Sequence, residues 1–209
     1  MKKIKILTVL TVMLSIFLAS CYKDNTSSSK KSGFTAPEEY IDNPSVKKAV
    51  NESDIPVYYG DTPPALAGTY ISDGSVTNVS SLIYDMMGVP IKSEFILSKQ
   101  TSSGKIDLEE RIGGIKITGS GGYITGANGN FTIYIESRQS GSEAGLPSGV
   151  SVTVVMMMSG TKLNNGDLSN VQGLTVFTDA SSNNSSYDVS EIIGEWYKWK
   201  ANFYLQTEN

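Results

Sequence analysis

In 209 residues the chain has 21 acidic and 17 basic side chains, one cysteine and no histidine. The missing histidine removes the usual metal ligand and the usual base of serine and cysteine hydrolases. The acidic balance repels phosphate backbones, and a lone cysteine excludes a disulfide within the chain. The chain therefore reads as a non-enzyme with no metal, no cofactor and no nucleic-acid partner.

Met1 to Lys5 make a basic start, and an apolar run from Ile6 to Leu18 follows, broken only by Thr8, Thr11 and Ser15. This is the layout of a secretory signal peptide, too short for a comfortable membrane-spanning helix. Leu18-Ala19-Ser20-Cys21 resembles a bacterial lipobox. Small residues let a peptidase grip the extended chain, and the Cys21 thiol can be thioether-linked to diacylglycerol, whose acyl chains then hold the membrane. On that reading residues 1–20 leave as a lipoprotein signal peptide and Cys21, the site of lipid attachment, becomes residue one. Removing Lys2, Lys3 and Lys5 from the 17 basic residues leaves 14 against 21 acidic, a net charge of −7. Lys23-Asp24 is similar to the lysine-then-acid signal that sends Bacteroidetes lipoproteins to the outer face of the outer membrane. The expected location is the cell envelope, lipid-anchored, at the outer membrane and with the surface favoured.

Residues 21–54 read as the lipidated cysteine and a flexible tether. Tyr22 to Gly33 is rich in serine and lysine and has no hydrophobic period. Thr35-Ala36-Pro37-Glu38 has the spacing of a capping box, which predicts a short helical turn from Pro37 to about Ile41. Asn43 to Glu52 predicts at most another turn, and Pro56, Pro63 and Pro64 keep the approach to the domain extended.

Residues 55–209 form the expected domain, and from Leu66-Ala67-Gly68-Thr69-Tyr70-Ile71 onward the dominant period is two, the mark of strands with one face inward. Ser93 to Lys99 reads as a strand. In the next one Ile106, Leu108, Glu110 and Ile112 alternate with Asp107, Glu109 and Arg111. The Gly119 to Gly122 run lacks the lysine and helix of a phosphate loop and predicts a strand bend or bulge. Asn128-Gly129 between two alternating apolar runs predicts a type I′ hairpin. Val152, Val154, Met156 and Met158 alternate with Ser151, Thr153, Val155 and Met157, so that strand is apolar on nearly both faces and something beyond water should cover its outer side. Leu174 to Thr178 is another strand. In the last, Tyr197, Trp199, Ala201, Phe203 and Leu205 interleave with Lys198, Lys200, Asn202 and Tyr204.

Successive antiparallel strands with short turns predict an all-β, up-and-down meander of about eight strands closed into a barrel, filled or holding one small ligand. A two-sheet β-sandwich fits the periodicity nearly as well. Ile55-Pro56-Val57-Tyr58-Tyr59-Gly60 and Pro63-Pro64-Ala65-Leu66-Ala67-Gly68-Thr69-Tyr70 resemble the start of lipocalin-like lipoproteins of Bacteroidetes. Gly68-Thr69-Tyr70 stands where lipocalins proper carry Gly-x-Trp on the first strand, and Gly194-Glu195-Trp196 stands before the last strand. The resemblance implies a calycin-type barrel that binds an apolar small molecule.

Tyr134, Met156, Met158, Trp199 and Phe203 are the candidate ligand-lining residues. The methionines offer an adaptable surface, though methionine in a strand is most often core. Trp196, Tyr197 and Trp199 beside Lys198 and Lys200 could stack on sugars; the plainer reading has Trp199 filling the barrel and Trp196 plugging its end. Glu109 and Glu110 are adjacent in a strand, so they face opposite sides and cannot readily share a substrate. Ser81 to Met87 reads as a helix over a barrel mouth or as a strand. Two functions remain: a cell-envelope lipoprotein whose barrel binds an apolar or amphipathic small molecule, or a non-catalytic interaction module with a packed barrel, accessory to a surface glycan-binding or adhesion assembly.

Overall fold

The computed structural model describes residues 37–141, 146–183 and 188–207; Cys21, the residues before it and the tether to Gly33 lie outside them. Its clearest local feature is the turn at Asn128 and Gly129, whose φ values of 56° and 82° are the two positive angles that a type I′ turn requires. This turn joins β5 (Ile115–Ala127) to β6 (Asn130–Ser140), in register from Ala127↔Asn130 to Tyr123↔Tyr134.

The other strands are β1 (Gly68–Val79), β2 (Pro90–Ile91), β3 (Glu94–Ser98), β4 (Lys105–Ile112), β7 (Val150–Lys162), β8 (Leu168–Ser182) and β9 (Trp196–Leu205). From β3 to β9 each pairs antiparallel with the next, and β3 pairs with β1. β1 also pairs with β9, from Tyr70↔Leu205 to Val79↔Tyr197. That pairing makes an antiparallel, closed eight-stranded barrel and excludes the sandwich; β2 is one short extra strand beside β1. The glycine run in β5 lies where the register with β4 shifts, between Ile106↔Gly122 and Leu108↔Gly119, which is the expected bulge.

Two buried apolar clusters occupy the inside. The larger draws on every barrel strand and includes Phe95, Ile106, Phe131, Met158, Trp199 and Phe203. The smaller lies at one end, where Val150, Val152, Val154 and Phe177 meet Ile83, Val189 and Ile192. Ser81–Met86 is a 3-10 helix, kinked at Ile83, which is the helical of the two readings and not the strand. It covers a mouth of the barrel through Ile83, as does the turn Ser190–Ile192 through Ile192. Glu195 pins the first of these two by accepting hydrogen bonds from Ser80 Oγ (2.5 Å) and the Leu82 amide (3.1 Å).

A third cluster lies outside the barrel. α1 (Pro37–Asp42) and α2 (Pro44–Ser53) lay Tyr40, Val46 and Ala49 on Tyr134, Val155, Met157, Leu174, Val176 and Trp196. This is what covers the second apolar face of β7. The segment read as a tether with short turns is therefore, from Pro37 on, part of the folded unit. Sequence reasoning undervalued it because Asn43 caps α2 despite Pro44: the Asn43 side chain accepts from the amides of Ser45 (3.0 Å) and Val46 (3.3 Å), with proline in the first turn where its missing N–H costs nothing. At the other end Lys198 Nζ donates to the carbonyls of Ser53 (2.8 Å) and Asp54 (3.1 Å), satisfying acceptors that a helix leaves open. Trp196 Nε1 donates to Glu52 Oε2 at 3.1 Å.

Candidate ligand site inside the barrel

β4 points Ile106, Leu108 and Glu110 inward and Glu109 outward, as its alternation requires. Outside, Glu109 is bonded by Arg111 Nε (2.6 Å) and Lys116 Nζ (2.8 Å). Burial pushes its carboxyl up, but those two cations outweigh burial and leave it below the usual range. Inside, Glu110 is 6 % exposed and has no cation. Its Oε1 accepts from Ser93 Oγ at 2.9 Å. Ser93 is held in turn by Ser72 across the β1 edge, its amide donating to Ser72 Oγ at 3.0 Å. Burial pushes the Glu110 carboxyl up to about 7, with the Ser93 hydrogen bond acting the other way.

On the opposite wall Thr175 stands between Met156 on β7 and Tyr197 on β9. Its side chain is buried and its Oγ1 has no hydrogen-bond partner. Burial pushes the Tyr197 phenol up to about 12; Thr175 Oγ1, close to the phenol but outside hydrogen-bond geometry, opposes that rise, and the charge of Glu110 adds to it. Carboxylate, hydroxyl and phenol thus lie within electrostatic reach of one another, contributed by β4, β8 and β9.

The position of this trio is informative. Val79, Met86 and Tyr197 pack against both inner clusters and still keep part of their surface accessible. Ile117, which faces inward opposite Glu110, also keeps accessible surface. One half of the barrel is filled by aromatic rings: Phe95 and Phe203 lie 4.9 Å apart, and Trp199 stacks on Phe203 at 6.0 Å. Trp199 also lies flat on Gly173, where a Cβ would meet its ring at 1.9 Å. Tyr197, paired with Thr175, touches both inner clusters.

The five candidate lining residues separate accordingly. Met158, Trp199 and Phe203 belong to the filled half, Met156 borders Thr175, and Tyr134 is not inside at all. Tyr134 lies beneath the helices with its ring 5.9 Å from that of Tyr40, and its buried hydroxyl has no partner. Trp196 and Trp199 are 4 % and 2 % exposed, so neither offers a face for sugar stacking. Trp199 fills the barrel as the plainer reading had it, whereas Trp196 seals the helix seam rather than a barrel end.

Sequence reasoning missed Glu110, although its signal was present as a carboxylate on the otherwise apolar face of β4. Ser72, Ser93 and Thr175 gave no such signal. A separate open groove of about 460 Å³ lies near Asp61, Pro63, Ala65, Gln100 and Thr101. Gln100 there is committed to structure, accepting from the Leu66 amide (2.6 Å) and donating to the Pro64 carbonyl (2.9 Å). Among the described residues no group of acidic or cysteine side chains could hold a metal ion. None of their helices is long and apolar enough to cross a membrane.

Family models, curated proteins and solved structures give no match to this chain. Fold and site therefore rest on its own geometry.

Proposed function

We propose that this protein is a lipid-anchored protein of the cell envelope, attached through Cys21, whose barrel carries one small amphipathic molecule at the junction of the two inner clusters. It is a binding protein and not an enzyme. The observation that carries this reading is the buried, unpartnered Thr175 hydroxyl facing the lumen beside Glu110 and Tyr197. An orphan hydroxyl costs stability, and a ligand that bonds to it gives that cost a use. The anchor rests on the lipobox and the basic, apolar leader before it.

The second reading, a packed interaction module, draws support from the aromatic filling of the other barrel half. Native mass spectrometry of the mature protein, released gently from membranes, separates the two. A reproducible excess mass lost on denaturation is expected for a carrier. Identical native and denatured masses after incubation with envelope lipid extract would favour the packed module. The same denatured mass tests the anchor, which requires a diacylglyceryl group on Cys21.

A further inference from the structure

Resting on the lumen reading above, we infer that the group recognised inside the barrel is a primary ammonium head, held by the Glu110 carboxylate, Thr175 Oγ1 and the Tyr197 hydroxyl. Glu110 and Lys198 are the only charged side chains buried among the described residues, and Lys198 faces outward onto the end of α2. Glu110 is thus the one buried charge inside the barrel, and no protein cation neutralises it. A buried carboxylate without a counter-charge is unfavourable, so the occupant that gains most here brings a positive charge.

Hydrogen-bond valence points the same way. An ammonium carries three donors and no acceptor. The lumen offers a carboxylate with a single partner, Ser93, an unpartnered threonine hydroxyl and a phenol oxygen. An alcohol could give only one of these groups a donor, and a carboxylate head would set like charge against Glu110. A quaternary ammonium would keep the charge but lose every donor. The alkyl part of such a ligand would lie along Ile117, Val79 and Met86, which keep apolar accessible surface, and past Met156, which is buried beside Thr175.

The test is calorimetric titration of the mature protein at pH 7 with octylamine, octyltrimethylammonium, octanol and octanoate. Octylamine should bind at least about tenfold more tightly than each of the others, a difference of about 1.4 kcal/mol. Glu110→Gln should abolish the preference while leaving octanol binding in place, and Thr175→Val should weaken octylamine more than octyltrimethylammonium. Equal binding of the four probes, or a preference unchanged in Glu110→Gln, would overturn the ammonium assignment and leave the lumen reading standing. No binding by any probe would overturn both.

Discussion

The substitution Glu110→Gln is the most direct probe of the interior, because it keeps the shape and the Ser93 hydrogen bond while deleting the charge. In the folded protein the carboxyl is raised from its ordinary 4.5 to about 7 by burial. A raised carboxyl means that the folded state holds a proton which the unfolded chain has released. Stability from this group is therefore fully present below about pH 4.5 and is lost as pH climbs through about 7. At about 1.4 kcal/mol per pH unit, the gap amounts to about 3 kcal/mol. Urea unfolding of wild type and Glu110→Gln, measured every half unit from pH 4 to 8.5, isolates the effect, since other titrating groups such as Glu109 cancel in the difference. The two proteins should be close in stability near pH 4, and Glu110→Gln should be the more stable by about 3 kcal/mol above pH 8. A difference that stays flat across the range, or that favours wild type as pH rises, would refute the placement of an unpaired carboxylate in the lumen.

Thr175→Val keeps the shape of the side chain and removes the orphan hydroxyl, so it should stabilise the unliganded protein by about 1–2 kcal/mol in thermal unfolding; a loss of stability would mean that the hydroxyl has a partner. Gly173→Ala places a methyl against the Trp199 ring and should cost about 1–3 kcal/mol, with an altered tryptophan near-ultraviolet dichroism band; an unchanged band would show that the ring does not lie on Gly173. Lys198→Met frees the Ser53 and Asp54 carbonyls and should cost about 1.5–3 kcal/mol. Amide exchange should then rise over residues 44–53 and not in β6; equal loss of protection in both would sink the view that this lysine secures the helix.

Where local chemistry decides the structure, the sequence was readable. Asn128-Gly129 called for one turn type and received it, and the alternation in Tyr197 to Leu205 marked the inward face of β9 correctly. The doubly apolar pattern of Val152 to Met158 announced a cover but not its identity, because α1 and α2 are short and gain their stability from the surface they cover. Barrel against sandwich was undecidable for a similar reason: it turns on the pairing of β1 with β9, which no neighbouring residues encode. The site was the least legible part. Met156 faces the lumen, but Tyr134 stands between the inward Ile133 and Ile135, so the strand's period of two puts it on the helix side and its choice as a lining residue ran against the alternation. Thr175 acquires meaning only from what fails to reach it.

The β1–β9 seam also sets an order of events. Its partners lie well over a hundred positions apart, for instance Ser72 and Phe203, so this contact bears the largest loop-closure entropy in the barrel and is the natural last step of folding. Until it forms, β1 and β9 each present an unpaired edge to neighbouring chains. Loss of β9 (Trp196–Leu205) would therefore do more than shorten the protein, because β1 and β8 would both lose their partner. It would leave two adhesive strands open on an otherwise assembled sheet, and the expected outcome is self-association through those edges rather than a smaller monomer.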